Sequence, residues 1–213
     1  MLARAKSTTA QMPVRMSSAE FRRQQNYKEK DPLKVYIGKR NKESGDVFEA
    51  YLENACKKYL DDGLADIAKA HEPLRVVGRL TDRTFKCVYT KKADPDFKGM
   101  LNTGLAIGFE AKHTETDRIE QNAITRRQED VLDRQKSMNA MVFVMVSFGM
   151  DKFFCVPWSV WKNMKGLYGR KYLKVEDLHE YEVRMKLYEG KPAVLFLDTM
   201  EIPMEQPRLR KNE

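Results

Sequence analysis

The stretch ADPDFKGMLNTGLAIGFEAKH, residues 93–113, combines a sharp turn with a strand, and its reading decides the fold. ADPDFKG (93–99) is turn chemistry, with Asp on both sides of a proline and a closing glycine. GLAIGFEAKH (104–113) then alternates as a strand with one polar face. Glu110 and Lys112 stand two apart, so their side chains leave one side of that strand while Phe109 and Ala111 point to the other. A carboxylate and an ammonium on one face, with Asp96 in the turn just upstream, form a site for a hard cation beside a positive group. A metal held there polarises a phosphate oxygen and lowers the pKa of its bound water. The lysine positions that water or stabilises charge developing on the phosphate. Glu-x-Lys pairs are also common on solvated strand faces, so this pattern needs support from the rest of the chain.

Upstream, Phe48, Leu52, Ala55, Tyr59 and Leu60 recur at helical spacing from Asp46 onward, and Gly63 stands as a stop, which predicts an amphipathic helix. It carries Glu49, a candidate catalytic acid that is equally an ordinary first-turn acid. Residues 74–80 and 84–90 (LRVVGRL and TFKCVYT) are β-rich around a few turn residues and predict a hairpin. Downstream, Ile119, Ala123, Ile124, Val131, Leu132 and Met138 predict a second long helix that carries Gln128. MVFVMVSF (141–148) reads as a buried central strand, and KFFCVPW (152–158) as its neighbour. A short helix follows around residues 158–164, and AVLFLD (193–198) is a late strand. The order is that of an α/β layered domain and not of a long βαβ series.

Charge is distributed unevenly. Residues 1–44 hold 11 Lys and Arg against 4 Asp and Glu, whereas the remainder holds 28 against 27. A basic arm on a nearly neutral body suits contact with a phosphate backbone through counterion release. The expected organisation is a flexible basic arm over 1–43, with Arg22, Arg23, Lys39 and Arg40 as its phosphate contacts. A catalytic domain over 44–206 and a basic tail over 207–213 complete it. The chain's 3 cysteines and 3 histidines are scattered without metal-ligand spacing, which argues against zinc and against a disulfide framework. A reducing cytoplasm is the expected compartment, and no apolar run reaches the length of a membrane span.

The run GDVFEAYLENACKKY, then ADPDFKG, GFEAKHT, an RRQ on the next helix and VFVMVSF together resemble the RecU family of Holliday junction resolvases, within the PD-(D/E)XK nuclease superfamily. The resemblance runs from about residue 45 to the end of the chain, in the same order and with similar gaps. It implies a restriction-endonuclease-like mixed β-sheet core flanked by helices, with a short protruding hairpin, the stalk, over about 74–93. It also implies Mg2+ (or Mn2+) held by Asp96 and Glu110, Gln128 assisting the metal site and Lys112 stabilising the transition state, while Glu49 matches the acidic residue of the family's first helix. Asp94 stands where many members have Thr and is a candidate extra ligand. In the stalk, Arg75, Arg79, Arg83 and Lys86 are the candidate DNA contacts. The implied substrate is branched DNA cut by a homodimer, with a recombinase and a branch-migration helicase as possible partners. The competing readings are a related nuclease acting on duplex or flapped DNA, and a non-catalytic DNA-binding protein of the same fold.

Overall fold

The computed structural model describes residues 32–70, 74–89 and 95–200, with the backbone alone described for 32–41 and 89. The chain divides into two compact units, Met1–Gly38 and Lys39–Glu213. Of the first, the description covers helical backbone from Pro32 onward. In chain order the elements are α1 (Pro32–Asp61), β1 (Ala65–Lys69), β2 (Leu74–Arg79), β3 (Phe85–Tyr89), β4 (Phe97–Leu101), β5 (Ala106–Thr114), β6 (Arg118–Glu120), α2 (Arg126–Ser137), β7 (Met141–Phe148), β8 (Lys152–Pro157), α3 (Trp158–Lys162), α4 (Met164–Tyr168), β9 (Tyr172–Lys174), β10 (Glu182–Val183), β11 (Met185–Tyr188) and β12 (Lys191–Val194).

A six-stranded sheet in the order β1-β4-β5-β7-β8-β10 organises the second unit. Its β5–β7 pairing is parallel, and the other pairings are antiparallel, so the sheet is mixed as expected. Side chains alternate across it and meet two separate cores. On one face Phe97, Phe109 and Phe143 stack in neighbouring strands, with ring centroids 4.8 and 4.6 Å apart. Phe48, Leu52, Ala55 and Tyr59 of α1 pack on that face. Val142, Val144 and Val146 point the other way and are covered by Leu132 of α2 and by Trp158 and Trp161 of α3. Full burial of each such side chain contributes on the order of 2 kcal/mol, so the two-sided pattern fixes the strand register.

The β2–β3 hairpin forms as the sequence predicts, with a bulge between Val76 and Gly78, and its two strands pair with each other rather than with the central sheet. Five elements differ from the sequence reading. The first helix begins at Pro32, so Asp46, from which its period is read in the sequence, lies inside it, as does Gly45. One interior glycine costs about 1 kcal/mol, less than cooperative extension supplies over many residues. Residues 97–99 are strand and not turn, because Phe97 pairs with both Lys69 and Phe109 and is buried between them. Ile119, Ala123 and Ile124 precede the second helix instead of belonging to it, since Thr125 is extended and caps α2. The late strand stops at Val194, and Phe196–Thr199 turn as a 3-10 helix. Ala65–Lys69 is an edge strand to which the sequence reading assigns no element. No helix among the described residues is long and apolar enough to cross a membrane.

Candidate active site

Antiparallel pairing places Phe97 opposite Phe109, and the residue before Phe97 therefore falls beside Glu110 and Ala111. That residue is Asp96. Its backbone carbonyl accepts from the Ala70 amide at 2.8 Å, and its Oδ2 accepts from the Ala111 amide at 2.9 Å. Glu110 and Lys112 leave β5 on the face opposite Phe109, as alternation requires. Lys112 Nζ stands 2.8 Å from Glu110 Oε2 and 3.2 Å from Asp96 Oδ2, bridging the two carboxylates.

Gln128 reaches the same carboxylate from α2. Thr125 caps that helix and Gln128 is its third residue, so the two form a capping box. The Thr125 amide and hydroxyl both donate to Gln128 Oε1, at 3.0 and 2.8 Å. The Gln128 amide nitrogen is thereby turned to Glu110 Oε2, 2.5 Å away. Further along the helix, Gly108 permits the close approach of α2 to β5, for a Cβ there would stand 2.2 Å from Gln135 Oε1.

Electrostatics follow from this enclosure. Glu110 is 0% exposed, and burial pushes its carboxyl up; Lys112 pulls it down, Asp96 pushes it up again, and the result is about 8. For Lys112 burial acts in the opposite sense, but the two carboxylates beside it prevail and hold its ammonium above the ordinary lysine value. Glu110 Oε1 is buried without a hydrogen-bond partner. An orphaned carboxylate oxygen beside a second carboxylate is the donor set of a small hard cation, which takes one or two carboxylates and completes its shell with water and phosphate oxygens. Among the described residues no cluster of three or more His, Cys, Asp or Glu side chains could hold a metal, so a cation here relies on Asp96 and Glu110.

The other sequence-predicted residues lie elsewhere. Glu49 pairs with Lys69, 2.7 Å away, and among the described residues no hydrogen bond or ion pair joins it to Asp96, Glu110 or Lys112. Gln128 joins the cluster through its amide nitrogen, which donates to Glu110, while its oxygen accepts from Thr125. Arg75, Arg79, Arg83 and Lys86 are all exposed on the hairpin, where Arg79 pairs with Asp82 at 3.2 Å and lies over the Phe85 ring. Asp94, Arg22 and Arg23 fall outside the described residues, and Lys39 and Arg40 are described only as backbone of α1.

Thr125 and Gly108 are the residues the sequence reading missed. The Thr125-x-x-Gln128 spacing is a capping-box signal and was legible. A further network beyond Lys112 was not: His113 lies between Ser147 Oγ at 3.2 Å and Glu115 Oε1 at 3.1 Å, and Ser44 of α1 donates to the same glutamate oxygen. It ties the end of β5 to β7 and to the first helix.

The model of one protein family, RecU (recombination protein U), matches residues 43–202. Among solved structures, the chain is similar to Hjc, a Holliday junction resolvase from the archaeal hyperthermophile Archaeoglobus fulgidus. The TM-score is 0.40 at 10% identity, and the match covers 73% of this chain and 100% of that one. No curated protein matches the sequence significantly.

Proposed function

The chain belongs to the RecU family, and from that premise we propose that it is a metal-dependent endonuclease that resolves four-way (Holliday) junctions by paired symmetric nicks. One observation supports the chemistry above the rest. Asp96, just before β4, and Glu110 and Lys112 of β5 converge so that a single ammonium lies within 3.2 Å of both carboxylates.

Asp96 and Glu110 would hold Mg2+, with Mn2+ as a substitute, and the bound ion would supply Lewis acidity at the phosphate and a water activated near neutral pH. Lys112 supplies positive charge where the phosphate gains negative charge in the transition state. Gln128 keeps Glu110 in one orientation, so the ligand geometry is set before substrate arrives. Asp96 is fixed independently by the Ala111 amide. The hairpin adds Arg75, Arg79, Arg83 and Lys86 as contacts to branched DNA, and with Asp82 as its one acid it carries a clear positive excess. Cutting two strands of like polarity across a two-fold junction calls for a two-fold dimer with one site in each protomer.

The test is cleavage of an immobile four-way junction, compared with a linear duplex and a flap of the same sequence, with and without Mg2+. Paired symmetric nicks in the junction alone are expected, with binding but no cutting when the metal is chelated. Asp96→Ala and Glu110→Ala should abolish cutting and spare binding; wild-type nicking by either variant overturns the site assignment.

A further inference from the structure

Residues 162–174, KNMKGLYGRKYLK, hold 5 Lys and Arg and no acid, whereas the rest of residues 45–213 holds 23 against 27. The segment therefore brings positive charge to a body that is otherwise acidic. Gly169, at φ 72°, ends α4 and lets the chain return as β9. β9 pairs antiparallel with β6, and the two strands bury Leu173 and Ile119 in the core that holds Leu132, Val144 and Trp158. Glu110 is in register with Val144, so this ribbon lies on the same side of the sheet as the buried carboxylate. The hydroxyls of Thr114, which ends β5, and of Thr116 donate to the Arg118 carbonyl at 3.4 and 2.7 Å, and so fix the ribbon just past that strand. Arg118 is six residues beyond Lys112. That is at most roughly 20 Å of chain, less than one turn of duplex DNA at about 34 Å.

Which of the charges are free decides what the surface can bind. Lys162 is tied to Asp133, Arg170 to Asp177 and Lys174 to Asp117. Arg118 and Arg170 both lie over the Tyr172 ring, each 4.9 Å from its centroid, which stiffens the ribbon. Lys165 and Lys171 are exposed, and among the described residues no ion pair or hydrogen bond engages either ammonium. Arg127, beside Gln128 in the first turn of α2, is likewise exposed and unpaired among the described residues. The positive end of the helix dipole disfavours a cation there, and a neighbouring anion reverses that effect. The Gln121 amide donates to the Lys171 carbonyl at 2.9 Å, so residues 121–125 join Lys171 to the start of the helix that carries Arg127. Free cations thus stand beside the carboxylate site, on the ribbon, and on the turn that leads to it.

The elements that carry them identify the ligand. Reading base edges takes a helix or a long ribbon inserted into the major groove. Here β6 and β9 have 3 residues each and α4 has 5. Exposed cations on such short elements suit phosphates and not base edges. We propose that Arg127, Lys165 and Lys171 form a track for the phosphate backbone of a duplex arm leaving the active site, a contact blind to sequence and to branching. The proposal rests on the junction-resolving reading for its substrate. The track supplies affinity for any duplex and leaves branch selectivity to the hairpin.

Arg127→Ala, Lys165→Ala and Lys171→Ala each remove an exposed charge, and thermal melts verify the fold. Fluorescence anisotropy of the full chain with the metal chelated, over a salt series, reads affinity for a four-way junction and for a linear duplex. Each variant should weaken both alike, roughly eightfold at about 0.1 M salt, and lower the slope of log K against log salt by about 0.9. Lys152→Ala and Lys191→Ala, which remove exposed cations from β8 and β12, should change neither affinity by more than about twofold. If two of the three track variants bind like wild type, or lose no more than these controls, the proposal is overturned. Loss confined to the junction overturns it too, by placing the surface at the branch. Binding is read without cutting, so a wild type that holds DNA through the track yet cleaves nothing with Mg2+ sinks the nuclease reading alone. One that holds no DNA sinks both.

Discussion

The Gln128 amide nitrogen stands 2.5 Å from Glu110 Oε2, and its carbonyl oxygen is held by Thr125, so a helix cap orients the buried carboxylate. On the proposed function, one side chain serves both the helix cap and the site. Gln128→Ala should lower junction nicking about 10- to 100-fold, the usual cost of losing a partner behind a metal ligand. Thr125→Val keeps the amide but frees it to rotate. It should lower stability by about 1 kcal/mol and nicking by less than Gln128→Ala. Denaturant melts and single-turnover rates separate the two effects, and equal rates for Gln128→Ala and wild type would remove Gln128 from the machinery.

Gly99 of β4 pairs with Ile67 of β1. A Cβ there would stand 2.0 Å from the Asp66 carbonyl oxygen and 2.6 Å from Ile67 Cα, and backbone cannot step aside as a side chain can. Gly99→Ala should destabilise the protein by about 1–3 kcal/mol. Gly108→Ala meets only the flexible end of Gln135 and should be milder. Urea unfolding of both variants checks the order, and a reversed ranking would contradict the packing at β1.

What the sequence made legible was what periodicity and spacing encode. Alternation placed Glu110 and Lys112 on one face, the 3.6-residue period found the buried stripe of α1, and turn residues bracketed the β2–β3 hairpin. Misreadings arose where pairing partners were distant. Phe97–Gly99 look like turn residues until Lys69 and Phe109 flank them, and Ala65–Lys69 is too short to announce itself without β4. Glu49 was grouped with the site because it lies in a suitable helix. Its pairing with Lys69 depends on which sheet face that helix covers, which spacing alone does not reveal.

Asp133 connects α2 to α3 by accepting from the Trp158 indole N–H and the Lys162 ammonium, each at 2.8 Å. Burial alone would raise its carboxyl, but Lys162 and Trp158 outweigh that and hold it below the ordinary 3.8. A depressed folded value means the unfolded chain takes the proton first. The stabilisation is therefore complete above pH 3.8 and is lost as pH falls through the lower folded value. Asp133 is nearly half exposed, so screening limits the gain, and Asp133→Asn should cost less than about 1 kcal/mol at pH 7. Urea titrations of variant and wild type should differ at neutral pH and converge in acid. A gap that widened below pH 3.8 would exclude this ion pair as its source.

The three cysteines report on the hairpin. Cys56 and Cys155 are buried in the core, and burial pushes the Cys56 thiol up to about 12 and the Cys155 thiol well above its ordinary value. Thiolate is the reactive form, so both should be inert in the folded protein. Cys87 is exposed on β3, between Lys86 and Val88 and opposite Val76. A thiol reagent should therefore modify one cysteine quickly in the native state and all three after denaturation. The proposed function adds a sharper expectation. If the hairpin enters branched DNA, a four-way junction in saturating amounts should slow Cys87 modification several-fold, and a linear duplex should slow it less. Measured with Asp96→Ala to prevent cutting, unchanged labelling on junction binding would place the DNA elsewhere and leave the cations of the hairpin without their assigned role.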